Sequence, residues 1–352
     1  MEDLTQIVKD LVLNAGAIAV GIATAETLKG GPPSTDLKYV LEDAKSAVCF
    51  ALGLDQQLIL SYLSKKDHLS HSKDHARTYL QVNGIALELA SFLGMKGYPS
   101  VPVASNFVYR KDTPRGLLDE MPDISHRYLA VRSGVGYFGL SGNVLGKKEG
   151  AAIILGSIVT VAELTPTDPL PKEENYCDNC GICMASCASG FMSPKETVTI
   201  TLGGFNFAYS KRLGYIRCDY VCGGFTGLHS SGQWSTWSPA RFKIPQEEND
   251  FRQVFKIAAK AYAKRPRPAG SFFHPSIPGH LTEFTCGNCQ LVCHPDKEER
   301  KRRHKMLTES GVVVQHTNGS YRAMPPKAAE EYLAGMDPKV RALYEEVPRS
   351  SD

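Results

Sequence analysis

The sequence predicts an α+β chain, a mixed helix and strand domain followed by a cysteine-rich one. Three observations predict it: short apolar runs alternating with helical periodicity up to about residue 168, a segment rich in Pro and charge at 165–175, and two cysteine motifs beyond it. The domains are read as 1–168, 169–312 with an aromatic-rich insertion at 188–285, and a tail at 313–352.

Leu4, Ile7, Val8 and Leu11 fall at helical spacing and lead into a strand at 17–23. Further strands are expected at 46–53, 100–104 and 152–160, with helices at 76–96 and 124–133. The insertion carries both tryptophans, and its passage CGGFTGLHSSGQWSTWSP reads as a small aromatic core, with a pocket lining as the alternative. In the tail, Asn318-Gly319 marks a hairpin, Pro325-Pro326 starts a helix, and Asp337 caps another that has Pro338 at its first position.

A chain of 352 residues, 42% hydrophobic, can bury a full core without disulfides. A net charge of +3 does not describe a nucleic-acid surface, and the basic run Lys297 to Lys305 is expected to be a solvated helix face. The start MEDLTQIVKDLVL is acidic and amphipathic, unlike a secretory signal, which points to a reducing, cytoplasmic setting. AAIILGSIVTVA falls short of the roughly 18 apolar residues of a membrane span and reads as a buried strand.

Cys177, Cys180, Cys183 and Cys187 form C-x2-C-x2-C-x3-C, the ferredoxin run in which three thiolates bind one cubane and the fourth reaches another. Cys286, Cys289 and Cys293 supply three more ligands, and either Cys218 or Cys222 completes eight, enough for two 4Fe-4S clusters. Zinc would need only four ligands per tetrahedral site, which leaves the extra cysteines unexplained. Cys49, in an apolar run, is expected to be a small buried hydrophobe, and His71 with His75 a polar helix start. An oxygen-sensitive redox protein follows.

Three passages, ISHRYLAVRSGVGYFGLSGNVLGKKEGAAIILGSIVT at 124–160, CDNCGICMASC and CGNCQLVCHP, resemble the epoxyqueuosine reductase family and, more distantly, the reductive dehalogenases. The resemblance implies a nitroreductase-like domain holding base-off cobalamin and a ferredoxin-like domain with two 4Fe-4S clusters. Low-potential electrons from a ferredoxin or flavodoxin would pass through the clusters to the corrinoid, and a protein acid would supply a proton. It also points to Asp119 as that acid, with Asp123 as runner-up, and to Tyr109, His126, Gly134, Gly136, Gly139, Gly142 and Asn143 around the corrinoid. Asp123 also suits a helix cap. The four glycines suit equally a tight turn before a strand.

The family's isolated ligand follows a basic residue, as Cys218 follows Arg217. The resulting sets are Cys177, Cys180, Cys183 and Cys293 for one cluster, and Cys187, Cys218, Cys286 and Cys289 for the other. The chain departs from the family at Ala188 and His294, where prolines are expected, in its long insertion, and in having no helical-repeat extension. The functional expectation is a reductase acting on a small molecule, with transfer RNA disfavoured and an electron-transfer protein serving a partner corrinoid protein as the other class.

Overall fold

The computed structural model describes residues 3–104, 108–115, 119–247, 250–270 and 283–346. Helix α1 (Leu4–Asn14), capped by the Asp3 side chain on the Thr5 amide, leads into β1 (Ala19–Thr24). Strand β2 (Ser46–Gly53) precedes α2 (Gln56–Leu63), and the long helix α3 (Leu69–Met95) precedes β3 (Ser100–Val103). Helix α4 (His126–Arg132), with Ser125 bonded to the Tyr128 amide, is followed by the small hairpin β4 (Tyr137–Phe138) and β5 (Val144–Leu145), then β6 (Ile153–Thr160). Four of these strands form one antiparallel sheet in the order β1-β2-β6-β3. The fold is a mixed α/β one.

The sheet is buried on both faces, which explains why β2 reads as a continuous apolar run. Val48 and Phe50 join one core with α1, α2 and α3, whereas Ala47, Cys49 and Ala51 join a second with α4. Cys49 is fully buried, as expected, and burial pushes its thiol up to about 12.

The cysteine-rich part begins with α5 (Ile182–Ala185) and the hairpin β7 (Met192–Leu202) and β8 (Phe205–Arg212). Then come α6 (Tyr215–Cys222), α7 (Phe251–Lys264), α8 (Asn288–Leu291) and α9 (Lys297–Thr308). The hairpin β9 (Val312–Gln315) and β10 (Tyr321–Met324), α10 (Pro326–Ala334) and α11 (Pro338–Arg341) close the described chain. The insertion is folded: Tyr220, Phe225, Phe251 and Phe255 form an aromatic core, with Phe225 and Phe255 centroids 4.5 Å apart. Its other parts complete the N-terminal cores. Leu202 and Tyr209 pack beside Ala23 and Leu129, and Trp234 and Trp237 join the core of α1, α2 and α3.

Three expectations change. Helix α3 starts at Leu69, seven residues before the periodicity suggested, because Asp67 caps the Leu69 and Ser70 amides. His71 and His75 are buried within it instead of forming a polar start. The basic run forms α9, but Arg300 and Arg303 are buried: Arg303 pairs with Glu299 at 2.8 Å and reaches Gln56 and the Leu291 carbonyl. Its long stem and fork let it bridge α9 to α2, which hydropathy alone does not register.

Gly21 sets how closely α4 approaches the sheet, since an added Cβ would stand 1.9 Å from the Ser133 carbonyl oxygen. Gly21→Ala is expected to lower the unfolding free energy by about 1–3 kcal/mol through overpacking. An unchanged denaturant midpoint would place α4 further from β1.

Candidate functional site

The cysteines gather into two neighbouring groups, and the segment 137–151 touches both, through Leu140 on Cys177 and Asn143 on Cys289. In the first, Cys177, Cys180, Cys183 and Cys293 line one pocket with Leu140 and Arg300. Burial, followed by the neighbouring Cys289, Cys293, Cys177 and Cys180, pushes the Cys183 thiol up to about 12. Burial and the neighbours Cys177 and Cys180 raise Cys293 to about 12. In the second group, burial raises Cys218, with Cys222, Asp219, Cys289 and Cys187 adding to it. Cys286 is pushed to about 12 by burial, with Cys289 and Cys187 adding to the shift.

Such thiols resist ionisation until a cation offsets the charge, as a metal cluster would. Among the described residues, no three Cys, His, Asp or Glu side chains converge around one ion position. Four thiols spread about a cavity suit the separate irons of a cubane, each taking one sulfur, better than one tetrahedral zinc.

Both groups press against the segment that the sequence linked to a corrinoid. Leu140 N donates to Cys177 Sγ at 3.3 Å, Asn143 Nδ2 to Cys289 Sγ at 3.7 Å, and Tyr176 Oη to the Gly146 carbonyl at 2.9 Å. Gly150, at φ +68°, lies so close that a Cβ would stand 2.1 Å from the Cys293 carbonyl oxygen. The space beside Gly134, Gly136, Gly139 and Gly142 is taken by Asp168, Leu145, Leu145 and Tyr209 respectively. Gly134 and Gly142 also have positive φ, so this stretch makes tight turns that dock protein on protein. His126 lies away from it, in the sheet core, with Nδ1 2.8 Å from Ser157 Oγ, and burial brings it down to about 4. Asn143 stands at the second cysteine group.

No family model matches the chain. Among curated proteins, epoxyqueuosine reductase of Francisella cf. novicida (strain Fx1) matches 84 residues at 27% identity, 24% of this chain. Over those 84 residues the chain is similar to an epoxyqueuosine reductase. That match spans 23% of the relative's length. Of the solved structures, a catabolic reductive dehalogenase aligns with a TM-score of 0.49 and 14% identity, over 86% of this chain and 34% of its own. An epoxyqueuosine reductase bound to an epoxyqueuosine-modified tRNA stem loop gives 0.44 and 16%, over 96% and 73%. The Bacillus subtilis epoxyqueuosine reductase gives 0.42 and 16%, over 96% and 88%.

Asp119, the acid expected from the resemblance, accepts from Arg115 N at 3.1 Å and pairs with Arg115 Nε at 2.6 Å. These contacts hold its carboxyl below the usual range. Burial raises Asp123 against Arg110 and Lys111. The sequence reading missed Asp219, between Cys218 and Tyr220. Burial raises it to about 6, against a hydrogen bond with Glu120. Glu120 stands at φ +44°, a conformation L residues rarely adopt, and Tyr109 is raised by burial first, then by Glu120, Asp219 and Tyr215. Only the fold brings α6 to the loop after β3, so no local spacing signals this pair.

A cluster of histidines at the start of α3 packs against Phe284 and Tyr62. His68 Nε2 is 2.7 Å from the Phe284 carbonyl oxygen, His75 stacks on Phe284 at 4.6 Å, and Tyr62 Oη donates to the Cys286 carbonyl at 3.0 Å. Both nitrogens of His71, Nδ1 of His75 and Nζ of Lys65 are buried without hydrogen-bond partners among the described residues.

Burial lowers His68 to about 4 and His75 to about 4, and lowers His71, with help from His75 and His68, to about 3. An unfolded histidine titrates near ~6.5, so below that the unfolded chain binds more protons than the folded one. The stability held by the neutral rings is complete above about pH 6.5 and is lost as pH falls toward about 4. The denaturant midpoint should therefore drop between about pH 7 and about pH 5, and His71→Phe should flatten the drop. An identical slope in variant and wild type would contradict the buried neutral assignment.

Proposed function

We propose that this chain is an iron–sulfur oxidoreductase that holds two 4Fe-4S clusters and passes low-potential electrons to a corrinoid for reductive cleavage of a small substrate. The observation that carries the reading is that the cysteines fall into two neighbouring groups, with Cys183 of the first close enough to Cys289 of the second to influence its thiol. Cys177, Cys180, Cys183 and Cys293 would hold the first cluster. Cys187, Cys286, Cys289 and one of Cys218 and Cys222 would hold the second.

The corrinoid would lie in the region between α3 and α6, beside the second group. The unpaired ring nitrogens of His71 and His75 there are buried polar atoms of the kind a bound amide-rich cofactor satisfies. Tyr109, Glu120 and Asp219 border the same region, where one carboxyl of the pair stays protonated more readily than an exposed acid. The corrinoid, when bound, would supply the electron-rich metal centre that reduces the substrate bond. The chain's own residues would exclude water, position the substrate and hold the proton, with Asp119 or the Asp219–Glu120 pair as its source.

Adding anaerobically prepared protein to cobalamin is expected to convert its optical spectrum to the base-off form, and His71→Phe to weaken that binding. An unchanged cobalamin spectrum would leave the electron-transfer alternative. With a strong donor, a small-molecule reductase turns over epoxyqueuosine tRNA poorly or not at all, and rapid turnover would reassign the substrate. Cys218→Ala should lose one cluster while Cys222→Ala keeps about eight irons. The reverse pattern would exchange the two roles.

A further inference from the structure

We infer that Arg212, acting through Asn143, sets the reduction potential of the cluster bound by the second cysteine group, an inference that rests on the two-cluster reading above. Arg212 ends β8, and each of its guanidinium nitrogens has a fixed acceptor. Nε donates to the Ser141 carbonyl at 3.1 Å, Nη1 to Tyr215 Oη at 3.0 Å and Nη2 to Asn143 Oδ1 at 3.0 Å. None of these acceptors is a carboxylate, so the positive charge is not neutralised by its hydrogen bonds.

The same contacts decide which way the Asn143 amide points. Arginine only donates, so the amide oxygen must face Arg212 and the amide nitrogen must face Cys289 Sγ, 3.7 Å away. The backbone fixes the residue as well: Asn143 N donates to Ser141 Oγ at 3.2 Å, and its carbonyl accepts from Gly139 N at 3.0 Å. A guanidinium thus polarises an amide whose N–H points at a ligand sulfur.

Adding an electron to a cubane increases the negative charge on its sulfurs, and a donor backed by an unneutralised cation stabilises that reduced form. The first group differs. Its cation, Arg300, is paired with Asp178 at 3.2 Å, which Lys297 also contacts at 3.1 Å. The asymmetry makes the second cluster the easier one to reduce, so an electron entering through the first is drawn inward.

The test is an anaerobic redox titration of the cluster-loaded protein followed by EPR. In Asn143→Ala and in Arg212→Gln, the ratio of reduced to oxidised second cluster at a fixed potential should fall about tenfold, a shift of about 59 mV for a one-electron couple. The first cluster's midpoint should stay in place, and Arg212→Lys, which keeps the charge but not the fork, should fall between wild type and Arg212→Gln. An unmoved second midpoint with iron content intact overturns the inference, as does an equal shift of both clusters. Loss of the second cluster in both Asn143→Ala and Arg212→Lys would make the contact structural and also overturn it. Wild-type protein with one cluster or none defeats the two-cluster reading itself, whereas two clusters with unmoved midpoints defeat this inference alone.

Discussion

The structure depends on the contacts that residues 137–151 make with both groups of cysteines. On one side the Leu140 amide meets Cys177, on the other the Asn143 side chain meets Cys289, and Gly150 leaves no room for a side chain against Cys293. Because the segment is tied to β6 behind it and to α4 before it, the thiols are positioned by the central sheet rather than by their own loops. That matters for loops as short as α5 and α8, four residues each, which could not hold a fixed geometry unaided.

The insertion and the tail extend this arrangement. The β7–β8 hairpin lies on the α4 side of the sheet, and Arg212 at its end reaches back to Ser141 and Asn143. Trp237 donates to the Tyr62 carbonyl at 3.1 Å, Tyr321 donates to Glu283 at 2.7 Å, and Val313 N donates to Ser235 Oγ at 2.9 Å. The chain therefore encloses the second cysteine group from several sides, while Cys180 in the first is exposed. A low-dielectric surrounding for one group and an exposed edge for the other suit a relay that takes electrons at the surface and uses them inside.

Much of this was legible in the sequence, for identifiable reasons. Strand β2 was placed at 46–53 because it is buried on both faces, and the tail helices because Pro326 and Pro338 lie where helices begin. The cysteine groups were readable because their spacing follows the ferredoxin pattern. What failed were roles that depend on distant partners. His71 and His75 read as polar because histidine is, yet an aromatic wall buries them. At Gly134, Gly136, Gly139 and Gly142 the place a side chain would take is filled by the chain itself, a packing that spacing does not show. Asp219 and Glu120 lie far apart in sequence and gain their character only where α6 meets the loop after β3. Asp119 shows the converse: a residue picked out by resemblance whose charge is set by its neighbour Arg115.

The central claim is that the two cysteine groups are two cubane sites that share contacts with residues 137–151. Metal analysis of anaerobically purified protein, with EPR of the reduced form, tests it most directly. The account predicts about eight irons per chain and a spectrum of two magnetically coupled reduced clusters. Stoichiometric zinc with little iron, or about four irons and the signal of a single isolated cluster, would contradict it.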